Sequence, residues 1–401
     1  MPKFMFLSLH SIKQISSSHY YSSPRTKIIS VRPRRYHPQH FLVYFRSPRS
    51  KTFLFITMGA PTTPYQPYAK QHEEPQGPGD ARPTALQIVE DNGLVGKLGD
   101  KVIIVTGCTA GLGIETARAL HATGAKLFLT VRNIEKGEAV VQDILKTSQG
   151  KGTVELILMD LSNLSSVKSA AADFLSRSDK LNVLINNAGL SLLPETKTAD
   201  GFEMVMGTNH FGHFLFFQLL KPTLLKSCTS SCQSRVVSVS SSGHRISPIR
   251  FHDMDFTKEG YNRWAAYAQS KTANIYMANS IERHYGAKGL HAFSLHPGTI
   301  FGTEQLRHAT EEDYAALGGS EALRNVEKTV AQGAATSVWA AVAIHLEGKG
   351  GVYLSDVGEA RLAAETELVG GPGYGPHAYD EEAEEKLWNL SYEAVGLPIE
   401  D

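Results

Sequence analysis

From residue 98 onward, short apolar runs alternate with segments long enough for helices. The runs fall at 102–105 (VIIV), 126–131 (KLFLTV), 153–159 (TVELILM), 181–185 (LNVLI), 235–240 (RVVSVS), 291–295 (HAFSL) and 351–354 (GVYL). Near-continuous apolar strands separated by helices are what a parallel sheet covered on both faces requires. The pattern therefore predicts a doubly wound α/β fold with about seven strands, mainly parallel, and helices on both faces. A Pro- and Gly-bearing stretch, PQGPGDARP, interrupts residues 58–97, which read as a linker and N-terminal arm. Residues 98–360 read as the catalytic domain and 361–401 as a helical tail packed on it. No repeat of 20 to 50 residues is visible.

Charge divides the chain differently. Residues 1–57 hold ten Lys or Arg and no Asp or Glu, leaving 30 basic against 40 acidic groups in residues 58–401. An acidic body is a poor match for a phosphate backbone, so nucleic acid is not the expected partner. The basic leader reads either as a transit peptide, which would send the protein to mitochondria, or as disorder or an upstream extension before Met58. Met58-Gly59 followed by Thr63 fits a loose myristoylation pattern if Met58 is the start. The apolar run Phe4 to Leu9 is far shorter than the roughly 20 residues of a membrane span. Three cysteines, Cys108, Cys228 and Cys232, argue against a disulfide scaffold and for a reducing, cytoplasmic setting. Neither Cys228 with Cys232 nor His210 with His213 completes a metal-ligand set, so no metal is expected.

The first apolar run leads directly into Thr106-Gly107-Cys108-Thr109-Ala110-Gly111-Leu112-Gly113 and then a helical pattern ending at Gly124. Strand, glycine turn and helix occur in the order that dinucleotide binding needs. Gly107 permits the tight turn, Gly111 lets the backbone approach a pyrophosphate, and Gly113 allows close packing of the helix, whose free N–H groups meet the phosphates. Thr109 and Leu112 belong to the same contact surface. At the end of the second strand stands Arg132 rather than an acid. Its guanidinium suits a 2′-phosphate, which favours NADP(H), with a solvated arginine or dual specificity as the alternative.

Further along, Tyr267 and Lys271 are four residues apart and so share one helix face. A phenol with a pKa near 10 is a poor base at neutral pH; a nearby ammonium favours its ionised form.

The order TGxxxGxG, then Asp160-Leu161 after the third run, Asn186-Asn187-Ala188-Gly189 after the fourth, and Tyr267 to Lys271 as YxxxK resembles the short-chain dehydrogenase/reductase family. The likeness covers roughly residues 98–360 and implies a Rossmann domain acting as an oxidoreductase on CH–OH groups. It implies that Asp160, Asn187, Ala188 and Gly189 line the cofactor cleft, that Tyr267 exchanges a proton with the substrate oxygen, and that Lys271 also binds the nicotinamide ribose. Ser241 would hold the substrate oxygen, with Ser240 and Ser242 as alternatives from the residues alone. Asn209 falls at the family's fourth catalytic position, where it kinks a helix and anchors a relay water; a helix-start Asn is the competing reading. Pro297, Gly298 and Thr299 would meet the nicotinamide amide, and Thr303, just after Gly302, its phosphates.

Tyr267 follows Ser241 by 26 positions, and the intervening FHDMDFTKEGYNRW resembles the retinol-dehydrogenase and WW-domain-oxidoreductase branch, which handles apolar alcohols and carbonyls. Residues Phe301 to about Val326 read as a substrate lid. The apolar helix from His210 to Leu225 is read either as a homodimer face or as an internal core helix. The expected partner is a small alcohol or carbonyl. Two other functions are weighed: a sugar-nucleotide epimerase or dehydratase, which shares YxxxK but has a different glycine spacing, and an NADP-binding redox sensor without turnover.

Overall fold

In a computed structural model of the chain, residues 41–45, 54–58 and 63–399 are described, apart from 231, 302, 305–306, 317–323 and 368. The run Phe4 to Leu9, Gly59 and Gly302 lie outside that set. The chain divides into two compact units, residues 1–63 and 64–401. In the first, Phe41–Phe45 and Leu54–Met58 pair antiparallel with Val43 opposite Ile56. The leader's composition suggests disorder or a transit peptide, yet these two five-residue runs are rich in the aromatic and β-branched residues that strands favour.

In the second unit each of the seven apolar runs becomes a strand. In chain order they are β1 (Val102–Thr106), β2 (Lys126–Val131), β3 (Val154–Leu158), β4 (Val183–Asn186), β5 (Ser234–Val239), β6 (Leu290–His296) and β7 (Val352–Ser355). An eighth, β8 (Gly358–Glu359), is absent from the apolar pattern because it is only a two-residue antiparallel return from β7. The sheet order is β8-β7-β6-β5-β4-β1-β2-β3, parallel throughout except for β8. Central strands such as β1 are buried along their whole length, whereas edge strand β3 leaves Leu158 exposed. The chain reverses direction across the sheet between β1 and β4. Ligands bind open α/β sheets at such a switch point, beyond the carboxyl ends of the strands.

Among the described residues, eight helices of seven or more residues complete the layers: α1 (Ala85–Asp91), α2 (Leu112–Ala122), α3 (Ile134–Thr147), α4 (Leu164–Arg177), α5 (Gly212–Lys226), α6 (Arg263–Tyr285), α7 (Ala335–Val342) and α8 (Glu381–Ala394). Side-chain caps start most of them: Thr84, Asn133, Asn163, Asn262 and Asp380 each accept a first-turn N–H, a bond generally worth about 1 kcal/mol. One core lies beneath α4, α5, α6 and α8 and contains Phe128, Phe174, Phe217, Tyr276 and Trp388. The opposite core lies beneath α1, α2, α3 and α7 and contains Ile88, Leu120, Ile144, Phe293 and Trp339. Helix α1 thus buries Ile88 and Val89 completely, although the Pro-rich composition around it reads as linker.

Of the two readings of the segment from His210, the structure fits a core helix. Residues Gly207–Phe211 form a π-helical turn, and α5 continues from it with Phe214, Phe216 and Phe217 fully buried. The chain's own α8 covers this face: Phe214 meets Trp388 edge-on at 5.0 Å and Tyr392 at 5.2 Å. His210 Nε2 lies 2.7 Å from Ser391 Oγ, which clips the π-turn to the same helix. Among the described residues no helix is long and apolar enough to cross a membrane. Trp388→Ala should lower the unfolding free energy by about 3–5 kcal/mol, as removal of a buried indole ordinarily does; urea denaturation followed by circular dichroism measures it.

Candidate active site

Beyond the carboxyl ends of β1, β4, β5 and β6 opens a cleft of about 480 Å³. All the site residues expected from sequence line it, except Gly113 and Asn209, which stand directly behind its wall. Gly107 and Gly111 have φ of +72° and +60°, values an L side chain rarely adopts. A Cβ at Gly113 would strike the Gly107 carbonyl and come within 2.8 Å of Asn187 Nδ2. Thus α2 can begin hard against the turn. Gly111 is its N-cap and no side chain caps it, so its first-turn N–H groups face the cleft as an anion cradle. Thr303 hangs over the same turn, its Cγ2 3.9 Å from where a Gly111 Cβ would be.

A neighbouring turn is stitched to this one. Asn187 Nδ2 donates to the Thr106 carbonyl at 2.8 Å, and the Asn187 and Ala188 N–H groups donate to Thr106 Oγ1 at 2.9 and 3.0 Å. Arg132 is exposed at the end of β2, on the cleft rim. Asp160 accepts from both the N–H and the hydroxyl of Ser162, at 2.9 and 2.7 Å, which fixes its carboxylate at the end of β3. On the far side, Gly298 has φ of +100°, and Thr299 O accepts from Lys328 N at 2.8 Å. Strap residues 326–328 are held in turn from the arm: the buried Arg82 donates to the carbonyls of Val326 and Glu327 at 2.8 and 2.5 Å. These features fit a dinucleotide: a glycine turn whose packing admits no Cβ at Gly107 or Gly113, free helix N–H groups, and a cation at the rim.

Tyr267 and Lys271 project from α6 into the same cleft, with Lys271 Nζ 5.7 Å from the centre of the phenol ring. Lys271 is only 2% exposed, and burial pulls its ammonium down to a pKa of about 8. Its Nζ donates to Val239 O at 3.0 Å, and Gly189 packs so closely that a Cβ there would stand 3.2 Å from it. The three serines divide by geometry. Ser240 is buried and donates to the Lys271 carbonyl at 2.7 Å, tying β5 to α6, and Ser242 is buried with its N–H on His296 Nδ1. Ser241 is half-exposed; its Oγ accepts from Gly243 N at 3.0 Å, which leaves its own O–H to donate into the cleft. A Cβ at Gly243 would lie 3.0 Å from the Tyr267 ring and 3.3 Å from Ser241 Oγ, so the phenol ring and the serine hydroxyl flank the same glycine.

Asn209 is fully buried in the π-turn. Its Oδ1 accepts from Leu190 N at 2.8 Å, and its Nδ2 donates to Leu190 O and Ser270 Oγ, each at 2.9 Å. Its side chain therefore works by holding Leu190 and α6, not by facing the cleft.

Several lining residues escaped the sequence reading. Leu192, Leu193, Met204 and Trp264 form an apolar wall, and Val369 and Gly370 reach the mouth from the tail. Leu192 is held at φ of +52°, a strained value for leucine. Trp264 donates to Asp313 at 2.8 Å and Arg263 pairs with it at 2.6 Å, which anchors the short lid helix Glu311–Ala316. None of these carries a motif; the strained leucine is invisible without backbone angles. The cysteines are free, and among the described residues no cluster of three or more His, Cys, Asp or Glu could hold a metal.

A sequence profile described as short chain dehydrogenase matches residues 101–314. Short-chain dehydrogenase/reductase prx1 of Penicillium roqueforti is 48% identical over 330 residues, which cover 82% of this chain and 95% of that protein. Human retinol dehydrogenase 11 is 38% identical over 304 residues, 76% of this chain and 88% of that one. A crystal structure of an uncharacterized protein from Mycobacterium paratuberculosis superposes with a TM-score of 0.56 at 30% identity, over 75% of this chain and 95% of that one.

Gly113→Ala should weaken binding of a reduced nicotinamide cofactor by about tenfold or more, equivalent to about 1.4 kcal/mol, because the glycine turn must move to admit the methyl group. Fluorescence titration of the cofactor measures it.

Proposed function

The chain belongs to the short-chain dehydrogenase/reductase family, and on that premise we propose that it interconverts an apolar ketone or aldehyde with its alcohol using NADP(H). The family comprises oxidoreductases that use nicotinamide cofactors. The observation that carries the finer reading is the placing of Tyr267 and Ser241 on either side of Gly243, beside a buried ammonium, in a cleft lined by both a glycine turn and apolar side chains.

When bound, the nicotinamide supplies the hydride. The protein's own groups do the rest. Ser241 donates a hydrogen bond to the substrate oxygen and fixes it beside the phenol. Tyr267 gives its proton to that oxygen during reduction and takes it back during oxidation. Lys271, charged below a pKa of about 8, favours the tyrosinate left behind. Gly107, Thr109, Gly111 and Leu112 hold the pyrophosphate, with Gly113 and Thr303 at the same turn. Asp160, Asn187, Ala188 and Gly189 line the adenine and nicotinamide sides, and Pro297, Gly298 and Thr299 meet the carboxamide. Asn209 acts as a positioning residue through Leu190 and Ser270. Exposed Arg132 supports NADP(H) over NAD(H), since a guanidinium pairs with the 2′-phosphate that NADP alone carries.

Leu192, Leu193, Met204 and Trp264 support an apolar substrate, as does the likeness to a relative named for retinol, an apolar alcohol. Three free cysteines suit a reducing compartment such as the cytoplasm.

NADPH and NADH oxidation against a panel of hydrophobic aldehydes and ketones tests the reading. Turnover should prefer NADPH, and Tyr267→Phe should lower kcat by about a hundredfold or more while NADPH still binds. Tight NADPH binding with no Tyr267-dependent turnover on any substrate would overturn it. Arg132→Ala should raise the KM for NADPH by about tenfold and leave that for NADH nearly unchanged; equal effects on both would remove the guanidinium from the 2′-phosphate.

A further inference from the structure

His213 has no part in the mechanism above, and its sequence signal was a discarded metal pair. Its surroundings nevertheless determine where its proton sits. Thr106 Oγ1 accepts from two backbone donors, Asn187 N–H at 2.9 Å and Ala188 N–H at 3.0 Å. With both lone pairs engaged, the hydroxyl has only its proton to offer, and His213 Nε2 stands 2.9 Å away. That nitrogen must therefore accept. A neutral imidazole that accepts on Nε2 carries its hydrogen on Nδ1, and His213 Nδ1 lies 3.0 Å from the Asn209 carbonyl oxygen. The two bonds agree on a single tautomer.

The ring is 1% exposed, and burial together with the nearby Lys271 ammonium holds its pKa down to about 4. The imidazole is therefore neutral at neutral pH.

Each end of this imidazole belongs to a different part of the site. On the Nε2 side, Thr106 closes β1 and carries the Asn187–Ala188 turn on its hydroxyl. On the Nδ1 side is the π-turn, whose Asn209 grips Leu190 and, at Ser270, the α6 residue next to Lys271.

We propose that His213 is a positioning residue: its Nδ1–H imidazole sets the register between the cofactor turns and the helix that carries Tyr267 and Lys271. This rests on the oxidoreductase reading of the cleft. A displacement of the nicotinamide face against the phenol would cost turnover more than cofactor affinity, because proton and hydride transfer depend on alignment whereas the pyrophosphate is held by the backbone beyond Thr106, from Gly107 to Gly113, a stretch to which His213 makes no bond.

Two measurements on the full chain test it. The first uses no substrate: nitrogen-15 spectra of histidine-labelled protein, with His213 assigned by its absence in His213→Asn, should show the neutral Nδ1–H form throughout about pH 6–8. An Nε2–H or protonated ring would overturn the proposal, and does so whether or not a substrate is known. The second is kinetic. His213→Phe, which keeps the ring shape and loses both bonds, should lower kcat by about tenfold to a hundredfold with the KM for NADPH changed less than about threefold. His213→Asn, which can keep a donor at the Nδ1 position, should recover much of kcat. A kcat for folded His213→Phe within about twofold of wild type, or a folded His213→Asn no better than folded His213→Phe, would overturn it. If the phenylalanine variant does not fold, the asparagine variant decides alone: it must retain kcat within about tenfold of wild type, and a larger loss in folded protein rejects the proposal.

Discussion

An ammonium taken out of water is expensive unless its surroundings offer fixed dipoles in return, and the active-site end of this fold is arranged around one. Lys271 comes from the middle of α6, a helix buried on nearly all sides, so its head cannot swing out to solvent. The Val239 carbonyl receives it, and Asn274 donates to that same carbonyl at 3.0 Å. Ser240, one residue past the end of β5, binds the Lys271 main chain. Strand end and helix are thereby locked, and Tyr267, one turn before the lysine, inherits its place. Gly189 completes the enclosure from the other side, because any side chain there would press on the ammonium.

Where the chemistry is local, the sequence discloses it. The glycine turn is legible because tight backbone geometry demands glycine at particular steps between a strand and a helix, and Tyr267 with Lys271 because four residues make one helical turn. The parallel sheet is legible because strands covered on both faces need unbroken apolar runs. Helix α1 is not, since its Ile88 and Val89 sit among residues whose composition suggests a linker, and only packing against α2 and α7 gives them a core. The serine choice shows the same limit. Ser240, Ser241 and Ser242 are equivalent on paper; they part only because one faces α6, one the cleft and one His296. Likewise Val369 and Gly370 join the cleft from a tail segment far downstream, a juxtaposition that no spacing rule encodes.

The two sides of the cleft differ in character, and that difference divides affinity from selectivity. Backbone groups and glycines form the cofactor side, which is stitched turn to turn and has little freedom to vary. The apolar side consists of side chains on loops, with Leu193 O bound by Tyr261 and the lid helix hung from Arg263 and Trp264. Such a wall can be reshaped residue by residue without disturbing the cradle, which is how one scaffold serves many substrates. Leu192 is the exception within it. Its left-handed backbone is held between Leu190, gripped by Asn209, and Leu193, so the shape of the apolar wall is linked to the same turn that steadies the catalytic helix.

The clip between His210 and Ser391 gives the molecule a direction in time. The π-turn that carries Asn209 is synthesised well before the helix that clasps it, since 181 residues separate His210 from Ser391. Gly375, whose N–H binds His244 Nε2 and so backs the Ser241 loop, also comes late. During synthesis the glycine turn precedes its packing partners, while the half that carries Asn209 waits for α8 to emerge. A chain that stops before α8 would keep the fingerprint of a cofactor-binding protein and lack the clasp that holds the Asn209 turn in place.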